Sequence, residues 1–158
     1  MVIAPRHPER FDDVEKLLRS SPFDFQRRRG IEPDPYFEKD ILLLDTVGEL
    51  REFFAAADIA FVGGSLVDAG GHNVLEPARL QKPVLFGPYM SNFARIAGEM
   101  KQGGGAIEVH SAADLADRLI ELLNDAGARL RMGKLASQFA GAHQEAFTRN
   151  LVLAQRYL

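Results

Sequence analysis

Short apolar segments alternate with amphipathic segments along the chain. Each apolar segment is predicted to be a β-strand, and those that are apolar throughout are typical of parallel strands with both faces buried. The predicted strands are residues 1–4, 23–26 (an alternating segment), 41–45, 59–62, 83–86 and 106–109, the last at a sheet edge.

The segments between the strands have apolar side chains at helical spacing. The predicted helices are residues 9–19, 49–57, 92–101, 111–124, with a capping box at Ser111, and 128–157, interrupted near Gly141. Residues 29–39, which contain Gly30, Pro33 and Pro35, are predicted to form a loop. Alternating strands and helices predict an α/β fold, a doubly wound parallel sheet with helices on both faces.

Composition limits the class of protein. With 158 residues, 46% of them hydrophobic, residues 1–158 are predicted to form a single domain. A net charge of −3 predicts no nucleic-acid partner. The absence of cysteine excludes disulfides and thiol chemistry, and the four histidines show no metal-ligand spacing, so no metal site is predicted. The basic triplet at 27–29 favours a solvated strand end, with contact to an acidic surface as the alternative.

Residues 61–88 have the order strand, glycine loop, short helix, strand. Glycines such as Gly64 and Gly71 let backbone N–H groups approach a ligand. Asn73-x-x-Glu76 then opens a helix whose N-terminus suits a phosphate, and the Glu76 carboxylate suits the hydroxyls of a ribose. The alternative is that Asn73 and Glu76 form a helix cap that needs no ligand.

Two further polar turns directly follow predicted strands, at Pro5-Arg6 and at Thr46-Val47-Gly48. Ligands of doubly wound folds bind outside the carboxyl ends of the strands, so these turns and the glycine loop are predicted to converge on a nucleotide. Arg6 would bind phosphate and the 46–48 turn would read the base through its backbone. A surface arginine and an ordinary strand-to-helix turn are the alternatives.

Several motifs together resemble one known family, the 3-deoxy-D-manno-octulosonic acid (Kdo) transferases, in their C-terminal domain. The motifs are Ala4-Pro5-Arg6-His7-Pro8-Glu9-Arg10-Phe11, Thr46-x-Gly48-Glu49-Leu50, Phe61-Val62-Gly63-Gly64-Ser65-Leu66, Gly70-Gly71-His72-Asn73-x-Leu75-Glu76-Pro77-Ala78, Lys82-Pro83-Val84-Leu85-x-Gly87-Pro88 and Asn92-Phe93. Val74 stands where the family usually has Pro, and binding is expected to survive this difference.

The resemblance implies a Rossmann-like half of a B-type glycosyltransferase that transfers Kdo from CMP-Kdo to a lipid A precursor at the cytoplasmic face of the inner membrane. CMP-Kdo is the donor substrate, and no cofactor is implied. The implied CMP contacts are Pro5, Arg6, Thr46, Val47, Gly48, Asn73, Val74, Leu75 and Glu76. Further predicted contacts are Gly64, Ser65, Gly71 and His72.

The resemblance also implies missing parts: an N-terminal domain with the catalytic base, and the first strand and helix of the C-terminal domain. The chain is therefore expected to be a soluble part of a two-domain protein and inactive alone, with acceptor binding and membrane association in the missing half. An unpaired strand edge is expected to favour self-association. A UDP-sugar-binding domain and a non-catalytic binding module are the alternatives.

Overall fold

The computed structural model describes residues 1–29 and 37–154, without the side chains of residues 145–154. The chain divides into two compact units, Met1–Phe53 and Phe54–Leu158. Each unit contains a three-stranded parallel sheet, so the predicted parallel α/β class is confirmed. No helix in the described part of the chain is long and apolar enough to cross a membrane. Residues 30–36 of the predicted loop lie outside the described residues.

The first unit is a sheet with helix α1 packed on it. Its strands β1 (Val2–Ile3), β2 (Phe25–Arg27) and β3 (Ile41–Leu43) lie in the order β1-β3-β2. Helices α1 (Phe11–Arg19) and α2 (Leu50–Ala56) follow β1 and β3 in the chain. The spacing of Val14 and Leu18 directs both side chains of α1 to one face, where they pack with Ile41 and Leu43.

The second unit has helices on both faces of its sheet. Strands β4 (Ala60–Val62), β5 (Val84–Phe86) and β6 (Ala106–Glu108) lie in sequence order, with β6 at the predicted edge position. Its helices are α3 (Leu75–Arg79), α4 (Ala94–Gln102), α5 (Ala112–Asn124) and α6 (Ala126–Ala154).

The central position of β5 in the sheet explains why residues 84–86 are all apolar and do not alternate with polar residues. Val84 and Phe86 belong to a core cluster with Met100 of α4, whereas Leu85 belongs to a second cluster with Leu122 of α5. Successive side chains of a strand point to opposite faces, so a strand covered on both faces must be apolar at every position.

Two predictions about helices need correction. The segments Pro8–Arg10 and Ser91–Phe93 form 3₁₀ turns, and the α-helices start after them, later than predicted. The predicted interruption at Gly141 is wrong, since α6 runs continuously through this residue. A helical glycine costs only about 1 kcal/mol relative to alanine, which a long packed helix tolerates. Residues 155–157 of the predicted helix lie outside the described residues.

Candidate nucleotide-binding site

In the first unit, two of the predicted polar turns lie at the same end of one sheet. Strands β1 and β3 are adjacent and parallel, with Val2 opposite Leu42. The Pro5-Arg6 turn and the 46–48 turn follow the carboxyl ends of these two strands. Arg6 is exposed and Pro5 is half-buried.

The 46–48 turn presents backbone groups rather than a packed side-chain surface. Val47 is 85% exposed. Gly48 has a φ of +99°, in the left-handed region that favours glycine. An added Cβ at Gly48 would meet no atom within 4 Å, so the turn has open space on that side.

Glu49 joins this turn to the end of β2. Its carboxylate accepts a hydrogen bond from the Thr46 hydroxyl through Oε2. Its other oxygen, Oε1, accepts from Arg28 Nη2 at 2.7 Å and from Arg28 Nε at 3.1 Å. The Thr46 hydroxyl bond lowers the pKa of Glu49, and the Arg28 guanidinium adds to this, against the opposing effect of partial burial.

Asp45, the residue before the turn, is a fully buried carboxylate. It accepts hydrogen bonds from Arg27 Nε and from the Arg29 backbone N–H, each at 2.7 Å. Burial alone would raise the pKa of Asp45, but these two donors outweigh burial and lower it. Arg27 also binds Glu15 of α1 at 2.7 Å.

These contacts correct the prediction for the basic triplet. The end of β2 is not simply a solvated strand end, because Arg27 and Arg28 are half-buried in ion pairs within the unit. Sequence reasoning missed Asp45 and Glu49 as their partners. A signal was available, since an aspartate directly after the buried strand residues 41–44 needs nearby donors, and 27–29 supplies them.

In the second unit, the glycine loop folds back on itself after β4. Gly64 and Gly71 both have a φ of +67°, and the Gly71 N–H donates to the Gly64 carbonyl at 3.0 Å. A Cβ at Gly71 would lie 2.2 Å from Met90 Sδ. A Cβ at Gly64 would lie 3.5 Å from the His72 ring. The left-handed backbone conformation favours glycine at both positions, and at Gly71 the nearby Met90 side chain also leaves no room for a Cβ.

The Ser65 hydroxyl makes its hydrogen bonds to backbone groups within the protein. It is fully buried, donates to the Val62 carbonyl and accepts from the Gly87 N–H at 2.7 Å. These bonds connect the loop after β4 to the end of β5. The side chain predicted as a ligand contact is thus directed into the protein.

Asn73 and Glu76 are brought together, in a geometry that differs from the predicted cap. Asn73 Oδ1 accepts from the Leu75 N–H at 3.0 Å, and Asn73 Nδ2 donates to Glu76 Oε1 at 3.1 Å. The N-cap position of α3 is Val74 instead of Asn73, and it makes no side-chain capping bond. The alternative of a reciprocal capping box is therefore realised only in part, because Asn73 Oδ1 binds a backbone N–H at the start of α3 but Glu76 accepts from the Asn73 amide side chain instead of its backbone N–H.

The residues between this pair face the core. Val74 is fully buried and Leu75 packs against the same cluster, so both offer only backbone groups to a ligand. Glu76 is exposed, and its Oε2 makes no hydrogen bond to the described residues. Within the described residues, no group of three or more His, Cys, Asp or Glu side chains could hold a metal ion.

Parallel strands that end in polar or glycine-containing turns, as in each of the two sheets, are typical of α/β domains that bind nucleotides. Residues 38–139 match the family model for glycosyl transferases group 1, and the chain belongs to this family. Within the family it is homologous to the C-terminal domain of 3-deoxy-D-manno-octulosonic acid transferases, as the motifs predicted.

Three comparisons support this placement. Over its full length the chain is 40% identical to the 3-deoxy-D-manno-octulosonic acid transferase of Haemophilus influenzae and 34% identical to that of Bordetella pertussis. It spans 37% of the length of each of these relatives. It also matches the crystal structure of the C-terminal CMP-Kdo binding domain of WaaA from Acinetobacter baumannii. That match has a TM-score of 0.81 and 31% identity, and covers 87% of this chain and 72% of the other.

Proposed function

We propose that this chain is the donor-binding part of a Kdo transferase in lipopolysaccharide biosynthesis and binds the CMP moiety of CMP-Kdo. The observation that carries the proposal is the likeness to a domain described as CMP-Kdo binding, at 31% identity and a TM-score of 0.81. The motifs that suggested a nucleotide site from the sequence lie within the matched length of the Haemophilus influenzae relative, which covers the entire chain.

Glu76 is proposed to bind the ribose of CMP. Asn73 Nδ2 donates to Oε1 of the exposed Glu76, which leaves Oε2 as an acceptor for a hydroxyl. A carboxylate that accepts from a hydroxyl makes a charge-assisted hydrogen bond, about twice as strong as a neutral one. Asn73 is itself held by the Leu75 N–H, so the carboxylate is oriented before ligand binds.

The proposed contacts to the base and to the phosphate are the Thr46-Val47-Gly48 turn and Arg6. The backbone of Thr46, Val47 and Gly48 would read the cytosine edge, since the exposed Val47 leaves these peptide groups accessible. Arg6 would donate to the phosphate, a task that suits a forked guanidinium. No cofactor beyond the donor is proposed.

In the longer protein, the proposed reaction is an inverting transfer. A carboxylate base on the N-terminal domain takes the proton of the acceptor hydroxyl, whose oxygen bonds to the anomeric carbon of Kdo as the bond from that carbon to the phosphate oxygen breaks. CMP leaves with the negative charge, which Arg6 would stabilise. The lipid A precursor and the membrane are assigned to the other domain, and the 158-residue chain alone is expected to catalyse nothing.

Calorimetric titration with CMP tests this function. Wild type is expected to bind CMP, and Glu76→Ala to bind it about tenfold more weakly, because a hydrogen bond to a charged group is lost. Glu121→Ala is the matched control, since Glu121 is an exposed carboxylate on α5. Equal affinity of wild type and Glu76→Ala, or no binding by wild type, would contradict the assignment.

A UDP-sugar is the alternative donor, because the matching family model describes glycosyl transferases group 1 without naming a donor. A bifunctional glycosyltransferase/methyltransferase of Fusobacterium nucleatum, a protein whose name gives no donor, is also similar to the chain, at 33% identity over 126 residues. Competition between CMP and UMP separates the two possibilities. Preference for UMP would indicate a UDP-sugar donor instead of CMP-Kdo.

A further inference from the structure

Residues 27–29, at the end of β2, make hydrogen bonds to the residues that precede and follow the 46–48 turn. On the side that enters the turn, Arg27 Nε and the Arg29 N–H bind the buried Asp45. On the side that leaves it, Arg28 binds Glu49 through two nitrogens. Consecutive residues of one strand end thus hold the two residues that flank the turn.

The turn has little else to fix its conformation. The Val47 side chain is 85% exposed and packs on almost nothing. Gly48 has a wide choice of backbone angles and open space around it. A loop that lacks packing keeps one conformation only if hydrogen bonds define it.

Glu49 makes hydrogen bonds that fix the turn, because both of its carboxylate oxygens are bound. Oε2 receives the Thr46 hydroxyl, across the turn, and Oε1 receives the Arg28 guanidinium. Arg28 is in turn fixed to the sheet, since its backbone N–H donates to the Leu43 carbonyl at 2.8 Å. The rigid sheet is therefore linked through Arg28 and Glu49 to Thr46.

We propose that Arg28 and Glu49 are positioning residues for nucleobase recognition, which act by holding the 46–48 turn in the conformation whose backbone reads the base. Neither side chain needs to touch the ligand. This inference rests on the proposed function, because it assigns the turn to the base of a bound nucleotide. Its specific consequence is that loss of the Arg28–Glu49 pair weakens recognition of the base while contacts to ribose and phosphate remain.

The test compares two ligands that differ only in the base. The full chain is titrated with CMP and with ribose 5-phosphate, followed by protein NMR so that weak affinities are measurable. Wild type is expected to prefer CMP. In Glu49→Gln and in Arg28→Gln, CMP affinity is expected to fall about tenfold, the effect of losing a charged hydrogen bond, while affinity for ribose 5-phosphate stays within about twofold.

Glu52→Gln is the matched control, because Glu52 is an exposed carboxylate in the first turn of α2, one turn beyond Glu49. It is expected to keep the wild-type preference for CMP. A wild type that prefers CMP, with variants that keep this preference, would overturn the inference and leave the proposed function intact. Equal loss of both ligands in both variants would also overturn it, since that pattern indicates a general structural role. A wild type with no preference for CMP would overturn the proposed function itself.

Discussion

At the scale of single residues, one ion pair and one backbone hydrogen bond explain how the Asp45 carboxylate is tolerated in the core of the first unit. Two donors at 2.7 Å replace the water that burial removes. Because they favour the ionised form, the pKa of Asp45 is lowered although burial acts in the opposite direction. A group whose pKa is lower in the folded state stabilises the fold at pH values above its unfolded pKa and loses that contribution as the pH falls.

Replacement of Asp45 tests this account. Asp45→Asn is expected to lower the free energy of unfolding at pH 7 by about 3 kcal/mol, because a buried ion pair is broken. The difference from wild type should shrink as the pH falls below about 4, the usual pKa of an aspartate, because the unfolded chain then binds the proton before the folded Asp45 does. Urea denaturation at several pH values measures both effects. A difference that is independent of pH down to strongly acidic conditions would contradict the charged role of Asp45.

Two glycines of the second unit are predicted to respond in opposite ways to the same change. A Cβ at Gly87 would lie 2.2 Å from the Ser65 carbonyl oxygen, which is backbone and cannot easily move, so Gly87→Ala is expected to destabilise by about 3 kcal/mol. Gly98 lies in α4 with no atom within 4 Å of an added Cβ, so Gly98→Ala is expected to stabilise by up to about 1 kcal/mol. Thermal denaturation of both variants measures the contrast, and shifts of the same sign would refute it.

At the scale of elements, α5 begins where the sequence predicted. Ser111 Oγ accepts from the Asp114 N–H at 3.1 Å, which is the predicted cap. The Asp114 carboxylate returns to the His110 N–H at 2.9 Å, one residue before the position expected for a capping box. Asp114 has a shorter side chain than the Glu that a capping box usually has at this position.

The cap can be tested by substitution at Ser111. Ser111→Ala is expected to cost about 1 kcal/mol of stability, because the Asp114 N–H loses its partner. Ser111→Asp keeps an acceptor at the same position and is expected to retain most of the stability. Chemical denaturation of the two variants compares them directly, and equal destabilisation by Ala and Asp would argue against a capping role.

At the scale of the whole molecule, the proposed ligand should stabilise the folded chain. A ligand that binds only the native state adds about 2.7 kcal/mol at a concentration one hundred times its Kd. CMP is therefore expected to raise the melting temperature in a concentration-dependent way, and UMP to do so less at the same concentration. Differential scanning fluorimetry measures this, with ribose 5-phosphate as the ligand that lacks a base. A larger shift with UMP would favour the rival donor class.

Self-association through a strand edge stays a prediction at this scale. Sedimentation velocity over a range of protein concentrations would measure it. A sedimentation coefficient that does not change with concentration would speak against it.

The sequence alone determined the class of fold and the positions of most elements. Apolar runs and helical spacing are local properties, so strands such as 83–86 and helices such as α5 could be predicted to within a residue or two. The family was also determined by sequence, because its motifs are short contiguous stretches such as Gly70 through Ala78. The 3₁₀ turns before α1 and α4 were missed because a single 3₁₀ turn at a helix start has no sequence pattern that separates it from a first α-helical turn.

Only the tertiary structure decided how the polar residues of the candidate site are used. Residues 27–29 and Asp45 are separated by a long stretch of chain, and it is the β2–β3 pairing that brings them together. Ser65 was predicted to contact the ligand, but its hydroxyl accepts a hydrogen bond from the N–H of Gly87, directly after β5. Hydrogen-bond partners distant in sequence depend on the folded chain, so the residue pattern indicated that Asp45 needs donors but could not identify its partners or those of Ser65.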